Sequence, residues 1–169
     1  MKTIYELAVL FLVAITWLII YQSYGDEIKN FFYSGEPTYV VQVSNISLEV
    51  TVADNDEERA QGLSGVTKLN DFEGKLFIFD EPGYPGIWMK DMMIPIDVLW
   101  FDDDLKLIHI QENLTPDTYP DVYVPPTLAR FVIETNAYFV QSLKLELGSR
   151  LIVPPELLPV DIRDRLQQQ

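Results

Sequence analysis

The stretch Ile87 to Phe101, IWMKDMMIPIDVLWF, sets Lys90 and Asp97 inside largely apolar sequence. From Ile96 the period is two. Ile96, Val98 and Trp100 are therefore expected on one face and Asp97, Leu99 and Phe101 on the other, the pattern of a strand buried on both sides. A carboxylate among such neighbours must be neutral, hydrogen-bonded or paired, because an isolated buried charge is strongly unfavourable. Lys90, Arg59 and a set of backbone N–H groups are its candidate partners. Asp97 with Glu134 could form a general acid and base pair of the glycoside-hydrolysis kind, in which the separation of the two carboxyl groups decides the mechanism. No recognisable nucleophile or metal constellation accompanies them, so the residues favour binding over catalysis.

Three of the four methionines, Met89, Met92 and Met93, fall close together and with His109 could offer soft ligands to Cu(I). In an extended strand, however, Met89 and Met93 share a face while Met92 points away. Core filling is then the expectation, and no metal or other cofactor is predicted. The runs Asp54-Asn55-Asp56 and Asp102-Asp103-Asp104 lack the Gly and distal Glu of a calcium loop and read as a cap and a turn.

These residues need a scaffold, and 169 residues with 48% hydrophobic content are enough for one globular domain plus an appendage. Twenty-six acidic against 12 basic residues give a net charge of −14, which argues against nucleic acid and anionic lipid surfaces as ligands. The absence of cysteine excludes disulfides, thiol nucleophiles and thiolate metal sites. Residues 4–24 are long and apolar enough to span a bilayer, with Tyr5 at one end and Tyr21 and Tyr24 at the other, where interfacial aromatics belong. The expectation is a single-pass anchor within residues 1–25, with the domain extracytoplasmic. Cleavage as a signal peptide near Ser23-Tyr24-Gly25, giving a secreted protein, is the alternative.

A linker is expected over 26–37 and a globular domain over 38–155. Tyr39 to Val43 and Ile46 to Val52 alternate around Ser44-Asn45, a hairpin pattern. Asp54 or Asn55 then caps a short helix that Gly62 and Gly65 end. Leu76 to Phe79, Trp88 to Ile94, Ile96 to Phe101, Leu105 to Gln111 and Phe131 to Thr135 read as strands. Pro95 requires a break before Ile96. Asn136 can cap a short helix through Leu143, and strand, turn and strand follow to Val153. Between them Glu112 to Thr127, with four prolines, reads as a long ordered loop or lid. Residues 156–169 form a tail with a charged helix around Val160 to Leu166. The fold class is mainly β, a compact antiparallel sandwich or barrel with one or two short helices, preceded by the transmembrane helix.

Arg59-Ala60-Gln61-Gly62-Leu63-Ser64-Gly65, Gly74-Lys75-Leu76-Phe77-Ile78-Phe79, Trp88-Met89-Lys90 followed by Ile94-Pro95-Ile96-Asp97, and Phe131-Val132-Ile133-Glu134 resemble, in order and spacing, the motifs of the domain of unknown function 192 family. The resemblance implies a small, mainly-β domain, often carried behind a signal or anchor segment, and supplies no reaction. Asp91 stands where the family usually has Asn, Met92 and Met93 where Thr and Leu are common, and Asp102 to Asp104 lacks the usual Gly. Arg59, Lys90, Asp97 and Glu134 are charged residues inside the matching motifs. Together with Trp88 as a stacking platform they are the candidate polar pocket, its cations binding an anionic or polyhydroxylated ligand and its carboxylates orienting it. The expected function is a membrane-tethered binding or interaction module for a small molecule or protein. A hydrolase using Asp97 and Glu134, and a structural domain with the four charges in an internal salt-bridge network, are the alternatives.

Overall fold

A computed structural model of the protein describes residues 35–168. The expected membrane anchor and most of the linker lie outside these residues. The sheet lies in the compact unit Thr38–Gln169. Among the described residues no helix is long and apolar enough to cross a membrane.

Strands β1 (Tyr39–Val43) and β2 (Ile46–Ala53) form the expected hairpin, with Tyr39 opposite Val50 and Val43 opposite Ile46. Ser44 takes a positive φ of 58° in the two-residue turn. Val41, Val43, Leu48 and Val50 point inward, and Val40, Gln42, Ser47 and Glu49 point to solvent. Helix α1 (Asp56–Gln61) follows because Asn55 caps it. The Asn55 side chain accepts from Glu58 N at 3.0 Å, and three acids occupy the first turn. The helix carries the chain back along the sheet, so β3 (Glu73–Gly83) pairs with β2 in parallel. This corrects the purely antiparallel expectation: a helical crossover between neighbouring strands imposes a parallel pair.

The remaining long strands are β5 (Ile96–Phe101), β6 (Leu107–Leu114) and β8 (Ala129–Asn136). A short strand β9 (Leu151–Ile152) completes a mixed seven-stranded sheet in the order β6-β5-β8-β3-β2-β1-β9. The sheet curls into a half-barrel. Its edges meet where Leu107 N donates to Ser149 O (2.8 Å) and Leu151 N to Leu105 O (2.8 Å), which leaves little free edge at that end.

Two apolar clusters flank the central strands. On the inner side Leu76, Leu99, Phe101, Phe131 and Ile133 pack with the hairpin, helix α2 (Phe139–Leu143) and helix α3 (Val160–Gln167). On the outer side Phe77, Ile96, Val98, Trp100 and Val132 pack with Leu63, Ile87, Met89 and Met92. The predicted two-sided burial of β5 holds for all six residues. The C-terminal segment, expected as a tail, packs onto the inner cluster through Leu158 and the fully buried Ile162. Arg130 fixes it there by gripping Asp161 at 2.6 and 2.9 Å.

Trp88 to Ile94 is not the strand that was expected. Only Ile87–Trp88 (β4) is extended, pairing with Val122–Tyr123 (β7) from the proline-rich connection, so that connection is tied down and is not a free loop. The chain then turns at Asp91 (φ 55°), held by Ser64 Oγ donating to Lys90 O (2.7 Å) and Gly65 N to Asp91 O (2.9 Å). The turn also reverses the methionine pattern: Met89 and Met92 both fill the outer cluster and Met93 is exposed.

Asp97 is fully buried on the inner side. Its partners are neither Lys90 nor Arg59 but two backbone groups. Asn113 N donates to Oδ1 at 2.8 Å, at the β5–β6 irregularity, and Val140 N to Oδ2 at 2.9 Å, in the first turn of α2. One side chain thus satisfies a displaced strand residue and an open helix terminus. Asparagine has a single acceptor oxygen, and its amide would face the second N–H donor. Asp97→Ala and Asp97→Asn are each expected to lower stability by about 2–4 kcal/mol, whereas exposed Asp121→Ala should shift it by under about 0.5 kcal/mol. Urea midpoints of the purified variants decide this, and an Asn variant as stable as the parent would show that the second acceptor is dispensable.

Candidate functional site

The β5–β8 register sets Val98 opposite Glu134 and Asp97 opposite Thr135. Opposed residues share a face, so Asp97 and Glu134 project to opposite sides of the sheet and form no acid and base pair across a common bond. Glu134 lies on the outer side. There a cavity of about 260 Å³ is lined by Arg59, Gly62, Leu63, Phe77, Trp88 and Glu134, among others. Of the five residues predicted for a polar pocket, three meet here. Asp97 does not, and Lys90 is exposed on the turn after β4 and does not line the cavity.

Each of the three has a distinct setting. Arg59 projects from α1 and is committed to its surroundings: Nη1 donates to Asp54 O (2.8 Å) and Ile78 O (2.7 Å), and Nη2 to Asp56 Oδ1 (2.8 Å). Its guanidinium lies 5.2 Å over the Phe79 ring. These bonds clamp the helix to β3. Trp88 forms the rim, 42% exposed, while Trp100 behind it is buried with Nε1 donating to Pro85 O at 2.9 Å. His109 packs on the Trp100 ring at 5.1 Å.

Glu134 is 4% exposed and forms the floor. The Leu63 N–H donates to its carboxyl, and Lys75, its cross-strand neighbour on β3, attracts it. Among the described residues no protein group donates to Oε2. Burial outweighs both favourable contacts and pushes the carboxyl from its ordinary 4.5 to about 7. Gly62 closes α1 directly above it at φ 52°, and a Cβ there would sit 3.2 Å from both Glu134 Oε2 and the Phe77 ring. Only glycine combines that backbone with that proximity.

Three further residues that bear on the buried polar groups were not among those predicted for the pocket. Lys75 and Arg130 are buried at 5% and 3% exposure, and Gly62 faces the acid. The signal for the two cations was parity: Lys75 alternates with Phe77, and Arg130 with Val132 and Glu134. Asp161 and Asp103 keep Arg130 charged against its burial, and Arg130 in turn holds the exposed Asp161 carboxyl below its usual range.

The sequence profile of the domain of unknown function 192, described as Uncharacterized ACR, matches residues 39–153. This chain belongs to that family. The match covers the sheet, the cavity and Asp97, so the resemblance of the motifs is established at the level of the domain. A crystal structure from Sinorhizobium meliloti, of a candidate transcription regulator, is similar at 27% identity and a TM-score of 0.66, over 70% of this chain and 95% of that one. Another, of a protein of unknown function from Novosphingobium aromaticivorans, shares the fold at 24% identity and a TM-score of 0.67, over 70% of this chain and 86% of that one. Comparison with the curated proteins finds no match.

The raised pKa of Glu134 has a signed consequence for this family member. The folded form holds the proton more tightly than the unfolded form, so the contribution is fully present below pH 4.5 and is lost as pH rises through about 7. The total change is about 3 kcal/mol at about 1.4 kcal/mol per unit. Glu134→Gln removes the titration. Its stability should therefore vary less between pH 5 and 8 and exceed that of the parent at pH 8, as read from urea midpoints. Parallel pH profiles for the two proteins would contradict the raised pKa of the buried carboxyl.

Proposed function

We propose that this family member is a membrane-tethered, extracytoplasmic binding module whose ligand enters the cavity over Glu134. The observation that carries the reading is the pairing of a buried carboxyl, one of whose oxygens lacks a donor among the described residues, with an exposed tryptophan on the rim of the same cavity. Buried polar atoms in folded proteins are nearly always hydrogen-bonded, so one without a donor beside a cavity is best explained by an external partner. Catalysis by Asp97 and Glu134 has no support from their geometry. A purely structural role for the four charges suits Arg59 and Asp97, which are internally satisfied, but not Glu134.

The tether rests on the apolar run 4–24, and the outward orientation on Lys2 and the amino terminus set against Asp26, Glu27 and Lys29. The regulator reading of the Sinorhizobium protein is not transferred, since binding to a phosphate backbone requires basic clusters and this chain carries 26 acidic against 12 basic residues.

Carbonate washing should leave the full-length protein in the membrane pellet. Release, or a new amino terminus near Asp26, contradicts the tether. The site is tested by a fragment screen on the purified full-length protein followed by NMR. Bound fragments should perturb the Gly62, Leu63 and Trp88 amide signals and lose affinity in Trp88→Ala. Fragments that bind only elsewhere would remove the cavity from the function.

A further inference from the structure

The polar inventory of the cavity is one-sided. Three of the five N–H groups of Arg59 go to two carbonyls and Asp56, Ser64 Oγ donates to Lys90 O, and Gly62 N donates to Glu58 O. Among the buried side-chain atoms of the described residues, Glu134 Oε2 is the one without a hydrogen-bond partner, the Leu63 N–H being the backbone donor to that carboxyl. An anion would meet the repulsion of that acid once it is ionised. A hydroxyl could supply one hydrogen bond, but an ammonium supplies three N–H donors and the opposite charge, and charge-assisted bonds are about twice as strong as neutral ones. Phe77 and Trp88 add aromatic surface, which favours a cation with an apolar body. The net charge of −14 also favours the approach of cations. At about 260 Å³ the cavity suits a group of roughly side-chain size, below the drug-sized range that begins at about 300 Å³.

We infer that the cavity takes a small organic ammonium group, its N–H donors on the Glu134 carboxyl and its apolar body against Phe77 and Trp88. This rests on the binding reading above and names the chemistry of the ligand, which is either a free amine or a lysine side chain of a partner. The charged groups around Glu134 are Lys75 on β3 and Arg59 and Asp56 on α1, while β5 presents the apolar Val98 opposite it. Lys75 already attracts the carboxyl, so the ligand adds to a charge environment that burial leaves short.

Calorimetric titration of the full-length protein with benzylammonium, Nα-acetyl-lysine methylamide, benzyl alcohol and benzoate, each at pH 6 and pH 8, tests this. At least one of the two ammonium compounds should bind, and binding should be about tenfold tighter at pH 8. A carboxyl with a pKa of about 7 goes from about one-tenth to about nine-tenths ionised over that interval. Tighter binding of benzylammonium points to a free amine, and tighter binding of the lysine derivative to a partner side chain. Glu134→Gln should weaken binding at least about tenfold and abolish its pH dependence. Trp88→Ala, at an exposed rim position, should weaken it without altering the pH dependence, and it carries the test if the Gln variant does not fold. Preference for benzyl alcohol or benzoate overturns the ammonium assignment while leaving a ligand site. No heat from any of the four at millimolar concentration overturns both readings.

Discussion

The central strands β3, β8 and β5 are packed on both faces, and the rest of the molecule follows from that constraint. All six residues of β5 and seven of the eight of β8 are buried, so every polar side chain on them must find its partner inside the protein. Two apolar clusters on opposite sides of one sheet need two sets of covering elements. The chain supplies α2 and α3 on the inner side, and the turn after α1, the β4–β7 ribbon and the Met89–Met92 turn on the outer side. Arg130 shows how strict the condition is: its guanidinium reaches Asp161 and Asp103 as well as the Phe79 and Asp80 carbonyls, and in doing so it fixes the C-terminal helix.

The two buried acids of the central strands meet the same constraint with opposite outcomes. Asp97 accepts from two backbone N–H groups and serves the scaffold, joining the β5–β6 irregularity to the start of α2. Glu134, one strand away on the other face, is left with an oxygen that no described residue donates to. A satisfied buried acid fixes a fold, whereas an unsatisfied one beside a cavity is held there at a cost to stability, which is the pattern expected of a binding group.

Much of this arrangement was legible in the sequence. The alternation in Ile96 to Phe101 assigned both faces of β5 correctly, the Ser44-Asn45 pair marked the hairpin, and Asp54 or Asn55 followed by acids marked the start of α1, where Asn55 is the cap. Arg59, Trp88 and Glu134 do line one cavity. Sequence missed what depends on register and on long-range backbone placement. Asp97 and Glu134 could not be assigned to opposite faces without the pairing of Val98 with Glu134. The Asn113 and Val140 N–H groups that Asp97 serves lie 16 and 43 residues away and carry no side-chain signature. The burial of Lys75 and Arg130 runs against the usual exposure of cations. The turn at Lys90 and Asp91 reads as a strand in the sequence because its anchor is Ser64-Gly65, remote along the chain.

The account stands or falls on the state of one carboxyl group. The most direct measurement is a pH titration of the Glu134 Cδ signal by carbon NMR in the full-length protein, assigned by its loss in Glu134→Gln. A midpoint near 7, with the chemical shift of a protonated carboxyl at pH 5, is the predicted result. A midpoint near the ordinary 4.5 would show the group to be solvated or fully paired, and would remove the physical basis for a ligand site at the floor of the cavity.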